Sequence, residues 1–128
     1  MGSKYERFTR AKASAGIPKV SIWAKGQIAF NIGAVQKFDL DKFNYAILFY
    51  NKEENIIAIK FTNDSKEEGA IKAIKREKSG ICISSLAFFN YYGIDYQKTK
   101  SYNIEYDKEK DLYLFSLLEK PKKIKTGK

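Results

Sequence analysis

The chain has 128 residues, enough for one domain that buries about two-thirds of the surface its unfolded form would expose. Apolar residues make up 44%, aromatics 15% and charged residues 30%, a globular mixture that excludes disorder for most of the chain. There is no histidine and one cysteine, which leaves no material for imidazole-based catalysis, a Ser-His-Asp constellation or a Cys/His zinc site within one chain.

The formal charge of +9 is concentrated at the ends. Residues 1–20 carry a net +4 and residues 119–128 another +4, whereas residues 21–118 hold 14 basic and 13 acidic residues. Residues 1–16 and 119–128 read as flexible basic arms, of the kind with which DNA-binding domains neutralise phosphates and release counterions. Solubilising tails are the plainer alternative. No apolar run reaches the roughly 18 residues of a membrane span, and no signal-peptide core opens the chain. A soluble, cytoplasmic protein without membrane contact is therefore expected.

In chain order, "KVSIWA" and "QIAFN" are short β-prone runs separated at Lys25-Gly26, where glycine permits a tight connection. Asn31 is a good helix N-cap, and Ile32, Val35, Phe38 and then Leu40 follow at spacings that build one apolar face. "YAILFY" turns through "NKEEN" into "IIAIKF", a hairpin. Acidic pairs such as Glu53-Glu54 and Glu67-Glu68 sit at turns as solvated charge. "IKAIKREK", residues 71–78, is the one locally basic run of the body. It reads as a phosphate-binding strip or, more plainly, as a solvated strand edge.

The second half repeats the first. At an offset of 53, Ile28 meets Ile81, Phe30 meets Ile83, Ala34 meets Ala87 and Phe38 meets Tyr91, while Lys19 and Lys25 fall on Lys72 and Lys78. At an offset of 56, "YNKEENIIAI" matches "YDKEKDLYLF". Two copies of one unit, residues 17–65 and 66–118, each in the order strand, strand, helix, strand, strand, are expected. In the second, Ser84 or Ser85 is the expected N-cap. Leu86, Phe89 and Tyr92 form one stripe with Phe88 and Tyr91 beside it, and Gly93 is the expected C-cap. Cys82, inside "ICIS", reads as a buried, inert thiol.

A β-run, Lys-Gly-Gln, a second β-run, a short helix ending in an aromatic-x-Leu element and then a hairpin resemble the swapped-hairpin AbrB/SpoVT/MazE-type DNA-binding domain. MraZ-like members carry two copies in one chain, as this sequence does. The resemblance covers residues 18–62 directly and 70–116 through the internal repeat. It departs at Asn31, where the family has proline, and at Phe43-Asn44, where it has Gly-Asp. It implies an α+β fold, a small β-barrel of two pseudo-symmetric β-β-α-β-β units with short helices. It also implies double-stranded DNA binding near the first hairpin turn, through Lys25 and Gln27, with Lys37 on the helix and Lys78 as the second copy of Lys25.

Together the candidate nucleic-acid contacts are Arg7, Arg10, Lys12, Lys19, Lys25, Gln27, Lys37, Lys72, Lys75, Arg76 and Lys78, with C-terminal lysines adding phosphate attachment. Ammonium groups hold phosphate, and a glutamine amide suits an adenine edge. The expected function is a non-enzymatic transcriptional regulator of duplex DNA, with no cofactor or metal; a homodimer stays open. Two rivals stand beside it. The ring-rich "FFNYYGIDY" and Trp23 suit a single-stranded DNA binder or coactivator-like module, in which Trp23, Phe88 and Tyr91 stack on bases. An antitoxin-like protein-interaction module is the other.

Overall fold

The computed structural model describes residues 16–76 and 80–118. The β-prone runs form nine strands: β1 Val20–Trp23, β2 Gln27–Phe30, β3 Tyr45–Asn51, β4 Ile56–Thr62, β5 Ile71–Arg76, β6 Gly80–Ser84, β7 Lys100–Tyr102, β8 Glu105–Asp107 and β9 Leu112–Ser116. Two short helices, α1 Ile32–Phe38 and α2 Leu86–Tyr92, follow β2 and β6. The result is a small α+β domain built on one curled antiparallel sheet in the order β7-β1-β2-β6-β5-β3-β4-β9-β8.

The strands interleave. β1 and β2 form a hairpin, as do β5 and β6, and the two hairpins join through β2 and β6. The β3–β4 hairpin joins β9, which is paired in turn with β8. The two terminal strands of this order, β7 and β8, are consecutive in the chain and separated only by Asn103 and Ile104. The stretch "SYNIEY", where the expected strand, strand, helix, strand, strand order of the second unit calls for a single strand, is thus broken in two. Its first part pairs with β1 and its second with β9. The basic run 71–76 is not a free edge either, since β5 bonds to β6 on one side and, at Ile71 and Lys72, to β3 on the other.

Alternation along each strand sends one set of side chains inward. Val20, Ile22, Ile28, Phe30, Ile57, Ile59, Ile81 and Ile83 are buried there, each Ile or Phe worth roughly 1.5–3 kcal/mol of transfer free energy. Phe61 links the two sides of the interior, with its ring 5.3 Å from Phe30 and 5.6 Å from Tyr113. Burial, followed by the neighbouring Tyr106 and Asp111, pushes the Tyr113 hydroxyl up to about 12. Cys82 is fully buried, as expected.

The helices have seven residues each, too short to persist alone. Asn31 caps α1: its Oδ1 accepts from the Ala34 amide at 2.9 Å and from the Lys19 amide at 3.0 Å, and its Nδ2 donates to the Ile17 carbonyl at 2.8 Å. One side chain therefore fixes both the helix start and the strand entering β1. The helix buries Gly33 and Ala34, while Val35 and Phe38 are partly buried against the core and Leu40 is fully buried just beyond. α2 starts differently. Ser85 occupies the N-cap position, but its hydroxyl donates to the Ile83 carbonyl at 2.8 Å and makes no capping bond. Gly93 closes α2 in the left-handed conformation, as expected. Within α2 only Phe89 is buried; Leu86 and Tyr92, expected to share its inward stripe, are largely exposed.

Candidate nucleic-acid interface

The first hairpin turn is fastened to the start of α2. Gly26 donates to the Trp23 carbonyl at 2.8 Å, and the Ser85 amide donates to the Gly26 carbonyl at 2.9 Å. Gly26 has φ +90°, and a Cβ there would lie 2.9 Å from the Leu86 side chain. Lys25 is exposed at this turn, and Trp23 and Gln27 face each other across the strands beneath it. Beyond them, Gln27 pairs with Ser84. Lys72 lies one residue past the Ala73–Ile83 pair and opposite Tyr45, which carries it to the same end of the sheet. This corner therefore gathers Trp23, Lys25, Gln27 and Lys72. Leu86, 47% exposed, packs beside the turn, and Tyr91, five residues farther along α2 and well around the helix from it, is 81% exposed.

The last β5–β6 pair, Arg76 with Gly80, lies at the opposite end, preceded by Lys75 with Ile81. Gly80 has φ +99° and is pressed against the start of α1 so closely that a Cβ would lie 1.9 Å from the Phe30 carbonyl oxygen. A cleft of about 410 Å³ opens there, lined by Ile32, Val35, Gln36, Asp41, Arg76 and Gly80. The Lys75 ammonium is already engaged, donating to the Asp41 carbonyl at 2.6 Å and to the Asn44 amide oxygen at 3.2 Å. Lys19 donates to Asn103 at 2.7 Å. Lys37 is exposed in the last turn of α1, its Nζ 5.7 Å from the centre of the Phe38 ring.

Between these two ends runs the row Ser101–Ser21–Ala29–Cys82–Ile74 across five strands. Ala29 and Cys82 are closed to solvent, whereas the Ser21 and Ser101 hydroxyls, 2.8 Å apart, are accessible at the β1–β7 side of the row. Of the proposed stacking rings, Tyr91 is open, Trp23 is half-buried, and Phe88 is half-buried against Tyr50 and Tyr92. Arg7, Arg10, Lys12, Lys78 and the C-terminal lysines lie outside the described residues.

Charge is segregated in a way that the near-neutral total of the body conceals. Residues 16–38 and 70–94, which build β1, β2, β6, β5 and both helices, hold seven basic residues and one acidic, Glu77. Residues 39–69 and 95–118, which build β3, β4, β7, β8 and β9, hold eight basic and twelve acidic ones. Counting charge by strand neighbourhood, instead of over residues 21–118 as a block, is the signal that reveals it. Among the described residues no group of three or more potential metal ligands occurs, and no helix is long and apolar enough to cross a membrane. No family model matches the chain, and neither a curated protein nor a solved structure does.

Proposed function

We propose that this chain is a duplicated β-β-α-β-β protein of the swapped-hairpin type, with units at residues 17–65 and 66–118 closing as a small barrel. In this reading it binds double-stranded DNA without catalysis, as a transcriptional regulator. Ladder registers support the duplication. Residues related by the offset of 53, Ala29 and Cys82, are paired with each other, and so are Ala58 and Leu114, related by 56. Such self-pairing is what an internal two-fold axis produces. The two outer turns agree as well. Asn51 and Asp107 each accept an amide three residues on, and Asn55 and Asp111, both at positive φ, each accept from the Tyr that opens its turn.

The observation that carries the DNA reading is the basic excess of the β1-β2-β6-β5 half, whose segments 16–38 and 70–94 hold seven basic residues against one acidic, Glu77. Its two ends are four residues apart along each strand, about 13 Å at roughly 3.3 Å per residue. That is the scale of the roughly 12 Å major groove. Lys25, Gln27 and Lys72 then meet one phosphate run, and Arg76 with Lys19 the other.

Fluorescence anisotropy with matched duplex and single-stranded DNA, over a range of salt, tests this. Tighter duplex binding is expected, weakening steeply with salt, and Lys25→Ala with Arg76→Ala should weaken it further. Preference for the single strand, with Tyr91→Ala the most damaging change, would instead favour base stacking; the exposure of Tyr91 is the one feature that speaks for it. Absence of binding to either form at low salt would end both readings.

A further inference from the structure

The acidic half carries an apolar face of its own. The register sets Phe49, Ala58, Leu114 and Glu105 in one row across β3, β4, β9 and β8, with Leu112 opposite Asp107 in an adjoining row. Phe49 is 44% exposed. A cleft of about 310 Å³ lies on this face, where Phe49, Ile56, Leu112 and Leu114 are flanked by Glu54, Asp107 and Lys110. The basic half presents the reverse chemistry: Leu86 stands exposed against the Lys25-Gly26 turn that follows Trp23, and residues 16–38 and 70–94 hold seven basic residues against one acidic, Glu77.

We propose that the chain associates head to tail with a second copy of itself. The Trp23–Lys25–Leu86 corner of one molecule seats on the acid-flanked Phe49–Ile56–Leu112–Leu114 face of the next. Charge decides the mode. A two-fold dimer through the acidic face brings Glu54, Glu105 and Asp107 against their own kind. One through the basic corner does the same with Lys25 and its neighbours, and like charges in contact oppose association. Only the heterologous arrangement covers both apolar patches and pairs opposite charges. Such contacts are not self-limiting unless they close into a ring. The association stands independently of DNA binding, although it uses the corner that duplex DNA would meet.

Sedimentation velocity of the full chain, without nucleic acid, provides the test. At low salt and up to roughly 0.1 mM protein, the average mass should grow with concentration past that of a dimer, and it should return to monomer at roughly 0.5 M salt. The double variant Glu54→Lys/Glu105→Lys and the single variant Leu86→Ser should each weaken association by about tenfold or more. Mixing the two should restore a one-to-one pair that grows no further, because each supplies the surface the other lacks. Circular dichroism and thermal melting establish that the variants fold, and Lys25→Ala replaces Leu86→Ser if that variant does not. A wild-type monomer at low salt overturns the proposal, as does a mass that stops at two or a mixture that stays monomeric. Association lost on removing residues 119–128 and in Glu54→Lys/Glu105→Lys, but kept in Leu86→Ser, would also overturn it, identifying the basic tail as the occupant of the acidic face.

Discussion

The β1-β2-β6-β5 strands and the β3-β4-β9-β8 strands are built from hairpins of similar size, yet they turn and carry charge differently. In the first set, glycines permit backbone to approach backbone: Gly80 lies under the Phe30 carbonyl, and Gly26 against Leu86. In the second set the turns are held by side chains. Tyr50 donates to Asn55 and Tyr106 to Asp111, while Asn51 and Asp107 cap the amides of Glu54 and Lys110. The first set is joined to both helices, and its segments hold seven basic residues against one acidic, Glu77. The second has most of the aromatic contacts around Phe61 and Tyr113. A chain that is near neutral across its body can thus fold into a strongly polarised molecule, because strand neighbourhood determines which charges add.

The sharpest way to break this contrast is Gly80→Ala. A Cβ there collides with the Phe30 carbonyl at a positive φ, so destabilisation of about 3 kcal/mol or more is expected in urea unfolding. Gly93→Ala, where nothing lies within 4 Å, should cost only about 1 kcal/mol. Equal losses at the two positions would mean that the close approach does not matter. Next in size is Asn55→Ala, which places alanine at φ +59° and removes the acceptor of the Tyr50 hydroxyl. A loss of about 1–2 kcal/mol is expected, and Asn55→Gly should recover part of it by relieving the backbone alone.

Two titrations complete the comparison, both in the second set of strands. The Tyr113 hydroxyl is raised from 10.0 to about 12. Its folded environment therefore favours the neutral form, and the stability it contributes is complete below pH 10 and falls away as pH rises toward 12. Alkaline unfolding should show this dependence, and Tyr113→Phe should remove it. The smallest effect belongs to Lys60 and Glu67, an exposed pair at 2.8 Å. The hydrogen bond from Lys60 lowers the Glu67 carboxyl below its ordinary value of 4.5. Any stability from this source is present near neutrality and is lost as pH falls through the lowered value. Glu67→Gln should leave the neutral-pH melt almost unchanged while flattening its acid-side slope. A large loss at neutral pH would mean that this pair anchors the loop leading to β5.

What could be read in the sequence was local or repeated. Asn31 caps α1 because an amide side chain before an apolar turn has few better partners than the amide of Ala34. The hairpin turns match at an offset of 56 because both use the same left-handed corner. Cys82 is buried in its apolar run. Ser85 could not be read, since its hydroxyl had two acceptable partners and took the Ile83 carbonyl. The stripe of α2 misled for a related reason. Periodicity identifies residues that share a helix side, but a seven-residue helix anchored through Phe89 leaves Leu86 and Tyr92 substantially outside. The break at residues 103–104 follows from the two flanking segments pairing with different strands, a partition that no local pattern encodes. For the candidate site, the Lys25 turn was visible as Lys-Gly-Gln, but the tie between Lys75 and Asp41 joins residues 34 apart and appears only once β5 meets the α1 connection.

The pairing of β1 with β7 carries a consequence for how the chain is made. Ser21 and Ser101, whose hydroxyls lie 2.8 Å apart, are 80 residues apart in sequence. Chains dominated by such distant pairings fold slowly, because loop closure must be accomplished before the contacts repay it. During synthesis β1 and β2 leave the ribosome well before β6, which begins at Gly80, and β7, which begins at Lys100. Until then the first hairpin presents two unsatisfied edges, so nascent chains stalled before Ser101 should be far more prone to proteolysis and aggregation than chains released whole.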